Sequence, residues 1–199
     1  MFRVRDLPLI ALEGIDKAGK GTQSKYLERR LTEKGCKVEQ VAFPDYGTPV
    51  GKEIKMFLQG KISFRSEVRQ LLYVANRWER QKDLEGWLKK GIFVVADRYV
   101  PSGIAYGLAN GLDLDWILRL EEGLPVADIV ILIDISPETS RKRGGKKDIY
   151  EEDRIFLERV RSCYLEQARR FGWIVIDGET NILDLSLCVW KNVVNRFFA

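Results

Sequence analysis

The chain has 199 residues, 45% of them hydrophobic and 31% charged, and a formal net charge of +4. This balance predicts one soluble globular domain with a sizeable core, and the mild positive charge fits anionic small molecules as well as nucleic acid. The sequence has no histidine and three widely spaced cysteines. It therefore excludes His-based triads and argues against zinc sites and disulfide frameworks. Unpaired cysteines favour a reducing, cytoplasmic setting.

Short apolar runs recur along the chain and predict β-strands, separated by longer amphipathic stretches that predict helices. The first run, after a charged N-terminus, is interpreted as a buried strand rather than a signal peptide, and no stretch approaches membrane-spanning length. Strands that alternate with helices indicate an α/β fold, with a parallel sheet covered on both faces. Ligands of such sheets bind beyond the carboxyl ends of the strands. The runs are LIAL (9–12), VEQVAF (38–43), IFVVAD (92–97), DIVILID (128–134) and WIVID (173–177).

The stretch after the first run fits the phosphate-loop pattern of Gly, four residues, Gly and Lys, and a helix is predicted over about 20–33. Gly14 and Gly19 permit the backbone angles that turn successive N–H groups inward around an anion. The helix N-terminus adds its dipole, and Lys20 brings a charge for the outer phosphates. A Gly- and Lys-rich turn without function is the alternative, but the flanking strand and helix argue against it.

The loop departs from the common pattern at Gly21, where a Ser or Thr that ligates magnesium is expected, and Thr22 follows it. The sequence GKGT resembles the adenylate-kinase version of the loop, in which magnesium can be held largely through water. Asp16 and Lys17 are unusual loop residues and have two interpretations. They are either two solvated charges that offset each other, or Lys17 joins Lys20 at the phosphates while Asp16 faces a hydroxyl of the acceptor.

The stretch DRYVPSGIAY (97–106) directly follows the most apolar predicted strand. Asp97, at a strand end beside the loop, can hold the magnesium shell, and Arg98 can grip a second phosphate bidentately. The alternative is a surface ion pair between Asp97 and Arg98 that caps the strand.

The stretch VRQLLYVANRWERQ (68–81) predicts a helix with two different faces. Arg69, Tyr73 and Arg77 lie four residues apart on one face. A tyrosine ring with an arginine one turn later suits a flat base that carries carbonyl groups; the alternative is a partly buried tyrosine beside a solvated arginine. The other face is an apolar stripe at helical spacing, formed by Val68, Leu71, Leu72, Ala75 and Trp78.

The segment 135–150 opens like a helix, with Ser136 as N-cap and Pro137 at the first helical position. It then breaks at the pair Gly144-Gly145 within a basic run that includes Arg143. Two interpretations stay open: a nucleic-acid patch or localisation signal, or a lid that closes over ATP and brings cations to the transferred group.

Taken together, these stretches resemble the thymidylate kinase family over nearly the whole chain. The matching motifs are EGIDKAGKGTQ (13–23), FPDYGTPVGKEI (43–54), LLYVANRWE (71–79), DRYVPSGIAY (97–106) and the run 123–143. The resemblance implies a P-loop NTPase-type three-layer fold with a five-stranded sheet of order 2-3-1-4-5, and one domain over 1–199 with a lid at about 136–150. It also implies ATP as donor, dTMP as acceptor, Mg²⁺ as cofactor and a homodimer, with no nucleic-acid or membrane partner.

The resemblance also implies a role for each matched residue. Asp16 would meet the sugar 3′-hydroxyl, Tyr73 would stack on thymine, Arg77 would read its O4, and Tyr106 would disfavour a ribose 2′-hydroxyl. ATP would be bound by Gly14, Asp16, Lys17, Ala18, Gly19, Lys20, Gly21, Thr22 and Arg143. The acceptor would contact Asp16, Phe43, Tyr73, Arg77, Arg98, Ser102 and Tyr106. Catalysis would rest on Lys17, Lys20, Asp97, Arg98 and Arg143, with the metal at Asp97 and Thr22 through water.

The chain also departs from the family pattern. Tyr46 stands where the pattern FPxR has an arginine on the acceptor phosphate, and Lys52 is a candidate replacement. Gly107 stands where a Gln or Thr is often found, which leaves one base contact open. Another pyrimidine nucleoside monophosphate kinase or a deoxynucleoside kinase is the alternative function. The chain has no Asn-Lys-x-Asp motif, which argues against a GTPase switch. Its basic residues cluster in one segment instead of lining one face, which argues against a nucleic-acid-binding module.

Overall fold

Five parallel strands form the centre of the computed structural model, which describes residues 8–144, 149–150 and 153–198. The strand order is β2-β3-β1-β4-β5, so the predicted order 2-3-1-4-5 is confirmed. All four neighbouring pairs are parallel. The strands are β1 (Leu9–Glu13), β2 (Val38–Ala42), β3 (Phe93–Asp97), β4 (Ile129–Asp134) and β5 (Ile174–Asp177).

Helices connect the strands and cover both faces of the sheet. Alternate residues of β1 point to opposite faces. Ile10 and Leu12 pack with α1 (Lys20–Glu33) and α9 (Ile182–Phe197), whereas Leu9 and Ala11 pack with α4 (Gln81–Lys89). β1 is therefore buried along its whole length, and it anchors the loop that follows. The helices are α1 (Lys20–Glu33), α2 (Pro49–Leu58), α3 (Ser66–Glu79), α4 (Gln81–Lys89), α5 (Val100–Ala109), α6 (Leu114–Glu121), α7 (Pro137–Lys142), α8 (Arg154–Phe171) and α9 (Ile182–Phe197).

α3 turns its polar residues inward and part of its apolar stripe outward. Gln70 and Arg77 are only 3% and 2% exposed. Val68, Leu71 and Trp78 are exposed at 41%, 46% and 41%. The interpretation of Arg77 as a solvated arginine is therefore wrong. α3 therefore presents Gln70 and Arg77 to a pocket, whereas Val68, Leu71 and Trp78 stay at the surface.

α7 begins as predicted. The side chain of Ser136 accepts a hydrogen bond from the Thr139 backbone N–H, and Pro137 is the first helical residue. The helix ends at Lys142, and Gly144 adopts a left-handed φ of 69°. The rest of the expected lid lies partly outside the described residues, including the whole stretch 145–148. In the described part of the chain, no helix combines the length and apolar character that a membrane crossing requires.

Candidate active site

The loop between β1 and α1 closes around the ammonium group of Lys20. Gly14 has φ 138°, and a Cβ there would come 2.3 Å from the carbonyl oxygen of Ile133, so only glycine fits. Lys20 Nζ donates to the carbonyl oxygens of Gly14 at 3.1 Å and Ile15 at 3.0 Å. Burial, together with the charge of Arg98, lowers the pKa of Lys20 to about 8. The ammonium thus lies inside the loop, where phosphate oxygens can replace its carbonyl partners.

Asp16 and Arg98 form an ion pair that joins this loop to the end of β3. Arg98 Nη2 lies 2.7 Å from Asp16 Oδ1, and Arg98 Nη1 donates to the carbonyl oxygen of Gly14 at 2.9 Å. Tyr106 donates its hydroxyl to Asp16 Oδ2 at 3.1 Å. Burial would raise the pKa of Asp16, but Arg98 outweighs burial and holds it at about 2. The Arg98 side chain is only 12% exposed, so its interpretation as part of a surface ion pair is wrong.

Glu13 organises this region although sequence reasoning assigned it no role. Its Oε1 accepts a hydrogen bond from the backbone N–H of Tyr99 at 2.7 Å. Its Oε2 accepts hydrogen bonds from the hydroxyls of Ser102 at 2.6 Å and Tyr164 at 3.1 Å. Both hydroxyl oxygens also lie 3.2 Å from Arg98 Nη1. Burial raises the pKa of Glu13, and hydrogen bonding by Ser102 opposes this. The one available signal was an acidic residue that ends an otherwise apolar run.

A pocket opens beside this ion pair and is lined by aromatic rings together with a few polar side chains, a composition typical of small-molecule sites. It brings together every residue that the sequence placed at the acceptor; their individual roles stay predictions. These residues are Asp16, Phe43, Tyr73, Arg77, Arg98, Ser102 and Tyr106. The sequence had not singled out the remaining lining residues apart from Tyr46. They are Pro44, Tyr46, Leu58, Gln70, Asn76, Tyr99, Gly103 and Tyr150.

Arg77 is fixed in this pocket by Glu121, the last residue of α6. Arg77 Nε donates to Glu121 Oε2 at 3.0 Å, and Arg77 Nη2 donates to Glu121 Oε1. Both side chains are almost fully buried. Gly103 makes room for the pair, because a Cβ there would lie 2.7 Å from Arg77 Nη2 and 3.0 Å from Glu121 Oε1. Glu121 thus engages one edge of the guanidinium and leaves Nη1 outside this bidentate contact.

Tyr46 lines the acceptor pocket and is accompanied by a lysine that the sequence did not identify. Lys55 Nζ lies 6.0 Å from the centre of the Tyr46 ring, a cation–π distance. Lys52, the candidate replacement for the absent arginine, is exposed on α2 and does not line the pocket. Tyr150, at the far end of the expected lid, packs edge-on against Tyr106 at 5.5 Å. Lys55 is therefore a cation beside Tyr46, the residue at the position of the family's arginine.

The carboxylate of Asp97 faces the position where the loop lacks a hydroxyl. A Cβ at Gly21 would lie 3.2 Å from Asp97 Oδ2, and Thr22 is exposed next to it on the first turn of α1. Within the described residues no cluster of three or more His, Cys, Asp or Glu side chains forms a metal cage. Magnesium needs no such cage, because it binds through one or two carboxylates, retained waters and substrate phosphates. The residues present fit this mode of binding.

Arg143 connects the end of α7 to the phosphate loop. Its Nη1 donates to the carbonyl oxygen of Lys17 at 2.9 Å, and its Nη2 donates to that of Gly178 at 2.7 Å. Lys17 itself adopts a left-handed φ of 64°, which is uncommon for a residue with a side chain. The two cationic residues expected near the transferred group are thus neighbours in the structure.

Comparison with known proteins agrees with this geometry. A model of the thymidylate kinase family matches residues 12–186. The thymidylate kinase of Arabidopsis thaliana is 40% identical over 188 residues, 94% of this chain and 71% of that protein. That of Homo sapiens is 34% identical over 177 residues, 87% of this chain and 84% of that protein.

A solved structure gives the same result. The structure of thymidylate kinase from Candida albicans, an enzyme of broad substrate specificity, matches this chain with a TM-score of 0.85 and 30% sequence identity. The match covers 94% of this chain and 91% of that one. The chain therefore belongs to the thymidylate kinase family.

Proposed function

We propose that this chain transfers the γ-phosphoryl group of ATP to dTMP to give dTDP, the activity that its family membership supports. The observation that carries the proposal is the Asp16–Arg98 pair, which joins the phosphate loop to the acceptor pocket. Two phosphorylated ligands bound on either side of this pair would have their phosphates next to each other. Phosphoryl transfer requires mainly such positioning and charge neutralisation.

On the donor side, the loop N–H groups and Lys20 bind the ATP phosphates. Lys17 and Arg143 share the charge that develops on the transferred group. Mg²⁺, held by Asp97 and by Thr22 through water, would add charge neutralisation on the ATP phosphates. The segment 136–150 acts as a lid of the single domain, because Arg143 reaches the loop from the end of α7.

On the acceptor side, Arg98 binds the dTMP phosphate and Tyr73 stacks on the base. Arg77 donates a hydrogen bond to thymine O4, since a guanidinium can only donate. Cytosine presents an amino group at the same position, and two donors repel. Asp16, which is ionised at neutral pH, accepts a hydrogen bond from the sugar 3′-hydroxyl. The ring of Tyr106 occupies the space that a ribose 2′-hydroxyl needs.

The exposed apolar stripe of α3 supports a homodimer. Val68, Leu71 and Trp78 lie at helical spacing on one face and are all more than 40% exposed, and such a patch is typical of an interface. A second copy of this chain is the partner we propose. Three free cysteines support a reducing, cytoplasmic location.

A coupled assay with a panel of acceptors tests the proposed activity. We expect turnover with ATP and dTMP, weaker turnover with dCMP, dAMP and dGMP, and none with thymidine, because Arg98 requires an acceptor phosphate. Preference for thymidine would indicate a deoxynucleoside kinase instead. Preference for dCMP would indicate a different pyrimidine nucleoside monophosphate kinase.

A further inference from the structure

Gln70 carries a buried amide nitrogen with no hydrogen-bond partner among the described residues. The residue lies on α3, is only 3% exposed and lines the acceptor pocket. A buried donor without a partner is destabilising, and most buried polar groups in proteins are paired. An unpaired amide nitrogen on a residue that lines the acceptor pocket therefore points to a ligand as the missing partner.

The position of Gln70 places it beside the proposed base-binding residues. Tyr73 and Arg77 follow it by three and seven residues, so all three lie on one face of α3. On the neighbouring helix α5, a Cβ at Gly107 would lie 3.0 Å from Gln70 Oε1. A side chain at position 107 and the Gln70 amide would therefore compete for the same space. The absence of a side chain at Gly107 leaves this space to Gln70.

We propose that Gln70 is a further base-contacting residue, whose amide pairs with the imide edge of the pyrimidine acceptor. Its Oε1 accepts the ring N3–H, and its Nε2 donates to a neighbouring ring carbonyl oxygen. This inference rests on the proposed function of the same pocket. A glutamine amide can rotate and exchange its donor and acceptor, so Gln70 contributes affinity, and the choice between thymine and cytosine stays with Arg77.

The test combines removal of the amide with removal of the ring N–H. Values of kcat/KM are measured for dTMP and for N3-methyl-dTMP with the wild type, Gln70→Met and Gln70→Leu. Gln167→Met is the matched control, because Gln167 is also buried with an unpaired amide oxygen but does not line the pocket. We expect Gln70→Met to lower kcat/KM for dTMP about ten- to a hundredfold, mainly through KM. Gln167→Met should keep kcat/KM for dTMP within about twofold of the wild-type value.

The decisive result is the penalty for N3-methylation. It should be large in the wild type and in Gln167→Met, and it should shrink at least severalfold in Gln70→Met. An equal penalty in wild type and Gln70→Met would overturn the inference. Should Gln70→Met not fold, the same comparison is made with Gln70→Leu, which also removes both the amide oxygen that accepts N3–H and the amide donor.

Stability of the nucleotide-free protein gives a second readout. Gln70→Met should keep or raise the melting temperature, because it removes an unpaired donor; a melting temperature lowered in Gln70→Met and in Gln70→Leu alike would contradict the unpaired state of the amide. A wild type that does not phosphorylate dTMP would refute the proposed function itself. A wild type that does so, with an unchanged methylation penalty in Gln70→Met, would refute only the role of Gln70.

Discussion

Arg77 and Glu121 form a buried bidentate ion pair between α3 and α6, with Nε and Nη2 of the guanidinium on the two carboxylate oxygens. Removal of one partner leaves an uncompensated buried charge. We therefore expect Arg77→Met and Glu121→Leu each to lower the free energy of unfolding by about 3–5 kcal/mol. The double variant should recover most of this loss, because it buries no charge. Urea denaturation of the four proteins measures the cycle, and additive losses in the double variant would contradict the coupling.

Lys17 and Arg143 should share one catalytic task. An arginine that neutralises charge on a transferred phosphoryl group is worth about 10³–10⁵ in kcat, and two neighbouring cations should make each single loss smaller. Lys17→Ala and Arg143→Ala are expected to lower kcat more than they raise KM, and the double variant to lower kcat further. Lys142→Ala is the control, because Lys142 is an exposed neighbour paired with Glu138. If the double variant keeps the wild-type kcat, Lys17 and Arg143 do not share this catalytic role.

Lys20 should impose an upper pH limit on ATP capture. Burial lowers the pKa of Lys20 to about 8, so the ammonium loses its proton above that pH in the free protein. Because kcat/KM reports the free enzyme, kcat/KM for ATP should fall as pH rises through about 8. With saturating ATP, the phosphates favour the charged form, and kcat should keep its value to higher pH. A flat kcat/KM for ATP between pH 7 and pH 9.5 or so would contradict this role.

Asp16 should stabilise the fold in a defined acidic range. Its folded pKa of about 2 lies below the ordinary value of 3.8, so the unfolded chain binds more protons between these two pH values. The stabilisation is therefore complete above about pH 4 and is lost as pH falls toward about 2, up to roughly 2 kcal/mol. Asp16→Asn should show less of this acid dependence in thermal unfolding. Identical acid profiles for the two proteins would mean that the Arg98 pair does not stabilise the ionised carboxylate.

Local sequence patterns were sufficient to predict most of the strands and helices of the fold. The run at 9–12 predicted β1, which ends only one residue later at Glu13, because an apolar run bounded by a Gly-rich turn is a local signal. The helix predicted at about 20–33 is α1 with the same bounds. The formation of β1 and of α1 depends mainly on residues that are neighbours in the sequence, so the sequence alone is enough to predict these two elements.

Contacts between distant segments could not be predicted in this way. Glu121 lies 44 residues after Arg77, and Glu13 lies 151 residues before Tyr164; no spacing rule joins such positions. The burial of Gln70 is a further example, because periodicity predicts which helix residues share a face but not which face meets a pocket. α3 thus departs from the usual arrangement, in which the apolar stripe is buried and the polar residues are exposed, because Gln70 and Arg77 are buried while Val68, Leu71 and Trp78 are exposed.

The most direct measurement is the ratio of kcat/KM for dTMP to that for dCMP, in the wild type and in Arg77→Met/Glu121→Leu. The double variant removes the donor that we propose binds thymine O4, and it leaves no buried charge behind. The wild type should prefer dTMP about ten- to a hundredfold, the cost of an unpaired buried donor, and the ratio should approach one in the double variant. A wild type that prefers dCMP, or a double variant that keeps the full preference for dTMP, would contradict the assignment of Arg77 as the residue that recognises thymine.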